Sequence, residues 1–80
     1  MRAYILIEAT VGRSREVARA LADVTGVSNR YLVTGPYDII ALVEGADANA
    51  IGHVVASRIH SIPGIARTVT CLAIGYHPDI

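Results

Sequence analysis

Asp38 is the residue of this 80-residue chain whose type and setting most suggest chemistry. It follows Gly35-Pro36-Tyr37 and precedes the apolar run Ile39-Ile40-Ala41-Leu42-Val43. Pro36 presets φ for the second position of a β-turn and Gly35 accepts any backbone angle, so the stretch reads as a hairpin turn. A strand apolar on both faces is normally central in its sheet. Asp38 therefore falls at the mouth of the turn, where a buried strand meets solvent. That position suits a binding site, and it suits equally an Asx residue that holds the turn by bonding nearby backbone.

The other chemistry-bearing residues form no catalytic or metal constellation. His53 and His60 are seven residues apart on one predicted helix, roughly 10 Å along its axis, too far to share a metal. His77 and Asp79 fall in the C-terminal tail and are not read as ligands. Cys71 is the only cysteine. It lies inside an apolar strand and is expected to be a buried, inert thiol of a reducing compartment. No nucleophile elbow, C-x-x-C, phosphate loop or dinucleotide fingerprint occurs. An enzymatic alternative stays open. Small chains with the strand and helix order β-α-β-β-α-β, the order read below for this one, also pair their sheets into dimeric barrels with monooxygenase or isomerase chemistry, and Tyr4, Tyr31, Glu8 and Glu44 are the residues that could serve it. No acid–base pair among them has an argued spacing, so no catalytic residue, metal or cofactor is assigned and a non-enzyme is expected.

Composition narrows the classes further. Residues 1–80 make a single small domain, of a size that buries about 60% of its unfolded surface. Yet 52% of the residues are apolar and the mean hydropathy is +0.45. The longest apolar runs are far short of the ~20 residues of a membrane helix. Excess hydrophobicity without a span points to self-association. The seven Arg and seven acids cancel, there is no Lys, and the Arg residues are scattered. Nucleic-acid affinity comes from clustered positive charge, so direct DNA binding is not expected. Met1 runs straight into a strand, so no signal peptide is expected and the location read is cytoplasmic.

These residues are positioned by six predicted elements. Arg2–Ala9 reads as a strand. Ser14 is the expected N-cap of a helix over about 15–24, with Val17, Leu21 and Val24 as its buried stripe and Gly26 as its stop. Residues 27–34 read as a polar, edge-type strand, with Val27, Asn29, Tyr31 and Val33 on one face. The hairpin and the apolar third strand follow. Asp47 is expected to cap a helix over about 48–60, with the stripe Ile51, Val55, Ile59 and Ile62, and Pro63-Gly64 ends it. A fourth strand is expected from Ile65 to Tyr76. The order is the α+β, ferredoxin-like β-α-β-β-α-β arrangement, with an antiparallel sheet in the order 4-1-3-2 and both helices on one face. The bare face of the sheet is not polar at alternate positions. Strand three offers Ile40 and Leu42 there, and a second copy of the chain is the simplest cover.

Two stretches carry a family resemblance. Thr34-Gly35-Pro36-Tyr37-Asp38-Ile39-Ile40 resembles the T-G-x-Y-D hairpin of the Lrp/AsnC effector-binding domain, and Ile62-Pro63-Gly64-Ile65-Ala66-Arg67-Thr68-Val69-Thr70 resembles its I-x-G-V-x-x-T-x-T passage from helix to strand. The resemblance covers essentially the whole chain. It implies a domain that senses an amino acid or related small metabolite and assembles into dimers and into eight- or ten-subunit particles. It implies ligand contacts at Gly35, Pro36, Tyr37 and Asp38 in the hairpin, and at Thr68 and Thr70 on strand four. Asp38 would hold a ligand ammonium, and hairpin N–H groups a carboxylate. Family members usually carry an N-terminal helix-turn-helix domain, whereas this sequence opens on the effector domain. A stand-alone form acting through full-length, DNA-binding relatives is therefore expected, with a scaffold that has lost its ligand as the further alternative.

Overall fold

The computed structural model describes residues 1–75. Its elements are β1 (Arg2–Ala9), α1 (Ser14–Leu21), β2 (Val27–Leu32), β3 (Ile39–Glu44), α2 (Ala48–Val54, continued by a π-helical turn over Val55–Ile59) and β4 (Ile65–Leu72). One antiparallel sheet runs β2-β3-β1-β4, with β1 and β3 central. This is the expected ferredoxin-like order read from the opposite edge.

The alternation of the central strands sorts two layers. Ala3, Ile5 and Ile7 of β1 and Ile39, Ala41 and Val43 of β3 are fully buried, packed with Val17 and Leu21 of α1 and with Ile51, Val54, Val55 and Ile59 of α2. No buried residue among those described is polar, so the helix-side core is wholly aliphatic. At ~1.5–3 kcal/mol for each fully buried side chain of this size, that layer is the main source of stability. The opposite face carries no helix. Tyr4, Leu6, Ile40, Leu42, Tyr31 and Val69 share it, paired across strands as Tyr4 with Leu42, Leu6 with Ile40 and Val69, and Tyr31 with Ile40. All six keep solvent-accessible surface, from the half-buried Leu6 to a Tyr31 that is 57% exposed.

Several local expectations are corrected. Ser14 is the first helical residue rather than the cap. Arg13 takes the cap position without a side-chain cap bond, because a turn from Arg13 N–H to Thr10 O (3.0 Å) already curls the chain there. Helix α1 ends at Leu21, and residues 22–24 tighten into turns bonded Asp23 to Ala20 and Val24 to Leu21. A bulge between Val27 and Asn29 puts Val27 opposite Val43 on the helix side, while Asn29 and Tyr31 face the uncovered side. Strand β2 stops at Leu32, and β4 stops at Leu72. The expected end of strand four at Tyr76, and the tail with His77 and Asp79, lie outside the described residues. Cys71 is exposed rather than buried. It stands opposite Tyr4 on an edge strand, on the face that neither helix covers. The Asp47 cap is as expected, its carboxylate accepting from Ala50 N–H at 2.8 Å.

The candidate ligand site at the hairpin end of the sheet

The loop between β2 and β3 is folded back onto the end of β1 by Asp38. Val33 N–H donates to the Asp38 carbonyl at 2.9 Å, and Asp38 N–H donates to the Ile7 carbonyl at 2.9 Å. The β1–β3 ladder ends at the pair Ile7–Ile39, so β3 offers no backbone partner to residues further along β1. The Asp38 carboxylate supplies one, its Oδ2 accepting from Ala9 N–H at 2.8 Å. The Asx reading of Asp38 is therefore corrected: its carboxylate bonds a neighbouring strand, 29 residues away in sequence, rather than nearby backbone within the turn. Gly35 makes the bend, at φ +138°, where L side chains are strained.

Tyr37, half-buried, carries the hairpin to β4. The Arg67 guanidinium carbon lies 5.7 Å from the centre of its ring, within cation–π range. Arg67 Nη2 also donates to the Tyr37 hydroxyl at 3.4 Å and stands 3.7 Å from Glu8 Oε2. Glu8 and Arg67 are direct cross-strand partners, one step before the β1–β4 register shifts between Glu8 and Ala9.

Beyond Arg67, an open cleft of about 340 Å³ is lined by His60, Ile65, Ala66, Arg67 and Thr68. That is within the ~300–1,000 Å³ range of small-molecule sites. The π-turn places His60, whose N–H bonds back five residues to Val55 O at 2.9 Å. His60 Nε2 and Thr68 Oγ1 share a 2.6 Å hydrogen bond, which fastens the end of α2 to the start of β4. Gly64 makes the intervening turn at φ +99°, against Arg13 and Val17.

The structure thus brings Tyr37, Asp38 and Thr68 of the expected site to one end of the sheet. Gly35 and Pro36 form the exposed tip. Thr70 is not brought in. It lies about 7 Å further along β4, opposite Ile5 and exposed. Sequence reasoning did not place Arg67 or His60 in the site and weighed Glu8 only for the enzymatic alternative. The signal available for the first was its place within the second family-like stretch.

The described residues contain no group of three or more His, Cys, Asp or Glu able to hold a metal, and no helix long and apolar enough to cross a membrane. Glu8 and Glu44 of the enzymatic alternative stand at opposite ends of the central strands.

A ferredoxin-like domain whose β2–β3 hairpin is tied back onto β1 defines the class, and comparison with known proteins gives the family. Residues 2–76 match the family described as the Lrp/AsnC ligand binding domain, and the chain belongs to it. The HTH-type transcriptional regulator PH1916 of Pyrococcus horikoshii is 36% identical over 59 residues, 74% of this chain and 39% of the regulator. The chain thus spans well under half of that protein. The crystal structure of TTHA0845 from Thermus thermophilus superposes with a TM-score of 0.89 at 38% identity, covering 96% of each chain. The regulator NMB0573 of Neisseria meningitidis, solved with L-methionine, shares the fold at a TM-score of 0.74 and 22% identity, over 95% of this chain and 52% of that one.

Proposed function

We propose that this chain is a ligand-sensing and self-assembling module of transcription control that takes an amino acid or a related small metabolite at the hairpin end of its sheet. The observation that carries the reading is the construction at that end. Asp38 ties the T-G-x-Y-D-type hairpin to β1 beside a cleft of ligand size. Membership of the ligand-binding family supports a sensor. The methionine-bound regulator of the same fold supports the ligand class by fold-level analogy alone. Asp38 Oδ1 has no protein partner among the described residues and is free for a ligand ammonium, while Oδ2 holds the hairpin.

Assembly is the other half of the proposal. The half-apolar face of Leu6, Ile40, Leu42, Tyr4 and Tyr31 is covered by the same face of a second copy, and dimers build larger particles. Closing subunits around the site lowers its dielectric and links binding to assembly. The balanced charge and absence of Lys disfavour direct DNA binding, so the module acts through DNA-binding relatives. The acids of the enzymatic alternative are too far apart to act together, which favours the non-enzyme. Light scattering with a thermal-shift screen of the twenty amino acids tests both halves. A stable monomer at micromolar concentration, or no shift with any amino acid, refutes the corresponding half.

A further inference from the structure

The two edges of the sheet are built differently. Strand β2 is short, kinked by the bulge between Val27 and Asn29, and carries Arg30, whose Nε donates to the Ala18 carbonyl at 2.7 Å. Short length, bulges and charges are the devices that keep an edge from pairing with another chain. Strand β4, at the other edge, lacks them over its regular stretch. Its register shift falls at the start, beside Glu8 and Ala9. From Thr68 onward it reads Thr-Val-Thr-Cys-Leu, with no charge, Pro or Gly. The hydrogen-bonding groups of that stretch are open. Ala73 N–H donates to the Arg2 carbonyl at 3.0 Å. Directions alternate along an antiparallel strand, so Arg67, Val69, Cys71 and Ala73 turn toward β1, and Thr68, Thr70 and Leu72 turn their N–H and C=O groups outward. Neither helix reaches over this edge. Thr70 and Leu72 stand opposite the buried Ile5 and Ala3 on the helix side, yet Thr70 is exposed and Leu72 is 44% exposed.

Resting on the reading of the bare sheet face as the dimer contact, we propose that dimers join along the outer edge of β4, by antiparallel pairing with β4 of another copy about Thr70. Thr70 is the midpoint of the regularly paired stretch Arg67–Ala73. A two-fold axis there sets Thr70 against the partner's Thr70, Val69 against the partner's Cys71 and Thr68 against the partner's Leu72. Thr–Thr and apolar cross-strand pairs stabilise a sheet, and here no charge faces a charge, since Arg67 falls opposite the partner's Ala73. The axis is perpendicular to the sheet, so both helix layers stay on one side and both bare faces on the other. The two four-stranded sheets become one continuous sheet. The apolar rows Tyr4–Cys71 and Leu6–Val69 of the bare face then run on into the second copy. Two such sheets closed face to face make a tetramer. An isolated two-stranded contact is marginal in water, so this edge joins dimers and does not hold single chains together.

The test is light scattering of the full chain under reducing conditions, on wild type, Thr70→Val, Thr70→Lys and Ile40→Glu, with circular dichroism to check folding. Wild type and Thr70→Val should be tetramers. Thr70→Lys should be a folded dimer, because the axis would set Lys against Lys and a charged edge strand resists pairing. Position 70 is exposed, so the subunit fold should not change. Mild oxidation gives a second readout. Thr70→Cys in a Cys71→Ser background should link into covalent pairs, since directly opposed, hydrogen-bonded residues have Cα atoms ~5.5 Å apart, within disulfide reach. Wild-type Cys71, which faces the partner's Val69, should stay unlinked. A particle that Ile40→Glu splits and Thr70→Lys leaves intact, with no linkage at position 70, overturns the edge contact and leaves the face reading standing. A particle that Thr70→Lys splits and Ile40→Glu leaves intact overturns the face reading and, with it, the joining of dimers at this edge. Linkage through Cys71 instead of position 70 overturns the pairing about Thr70.

Discussion

The Asp38 carboxylate accepts a hydrogen bond from the backbone N–H of Ala9, 29 residues away in sequence, at 2.8 Å. The same residue accepts from Val33 N–H through its carbonyl and donates to the Ile7 carbonyl through its N–H, so its side chain and backbone close the hairpin and tie it to β1. Asp38→Ala leaves the partly buried Ala9 N–H unpaired and should cost about 1–3 kcal/mol of stability. Asp38→Asn keeps an acceptor oxygen and should recover most of that. Urea unfolding of the three proteins measures it. Equal midpoints for wild type and Asp38→Ala would show that the bond holds nothing.

Two glycines separate torsional strain from crowding. Gly35 at φ +138° has open space where a Cβ would stand, whereas Gly64 at φ +99° would put a Cβ 3.1 Å from both Arg13 and Val17 side chains. Gly35→Ala should cost about 1–3 kcal/mol from backbone strain alone. Gly64→Ala should cost more, because Val17 is fully buried and cannot retreat. Denaturant midpoints rank them, and a larger loss at Gly35 would contradict the assignment.

The contrast between these positions shows what was legible in the sequence. Strand order followed from YILI and IIALV, since only central strands are apolar on both faces, and the Asp47 cap followed from residue type. The hairpin turn and Asp38 were legible from Gly35-Pro36. What Asp38 bonds was not, because its partner Ala9 is set by where the β1–β3 ladder ends. Glu8 and Arg67 meet through a register that a one-residue slip would undo. His60 reaches Thr68 through a π-turn that no residue between Val55 and Ile59 announces. Val27 was grouped with Asn29 and Tyr31, from which a bulge separates it, and Cys71 was expected buried because an edge strand was given the coverage of a central one.

Direct DNA binding should be absent. The chain has zero formal net charge and no Lys. Several of its Arg side chains are already engaged, Arg13 with Glu16, Arg30 with the Ala18 carbonyl and Arg58 with the Thr25 carbonyl. Fluorescence polarisation with duplex DNA at physiological salt should give no saturable binding in the micromolar range. Affinity in that range with a steep salt dependence would mean that enough Arg side chains swing free to neutralise phosphates.

Ile39 and Ile40 are neighbours in sequence and point to opposite faces of β3. Ile39 is fully buried against the helices, and Ile40 is half-buried on the uncovered face between Leu6 and Tyr31. The two therefore report on different events. Ile39→Ala removes core volume within one subunit and should cost about 2–5 kcal/mol of folding stability, with the unfolding midpoint falling accordingly. Ile40→Glu places a charge at the centre of the proposed sheet-to-sheet contact without touching the helix-side core. It should convert the particle to a folded monomer, read by light scattering, with the far-ultraviolet dichroism of wild type. A charge buried there without a partner opposes association strongly, so partial dissociation is not expected at micromolar concentration. An assembly that survives Ile40→Glu would mean that this face is not where the subunits meet.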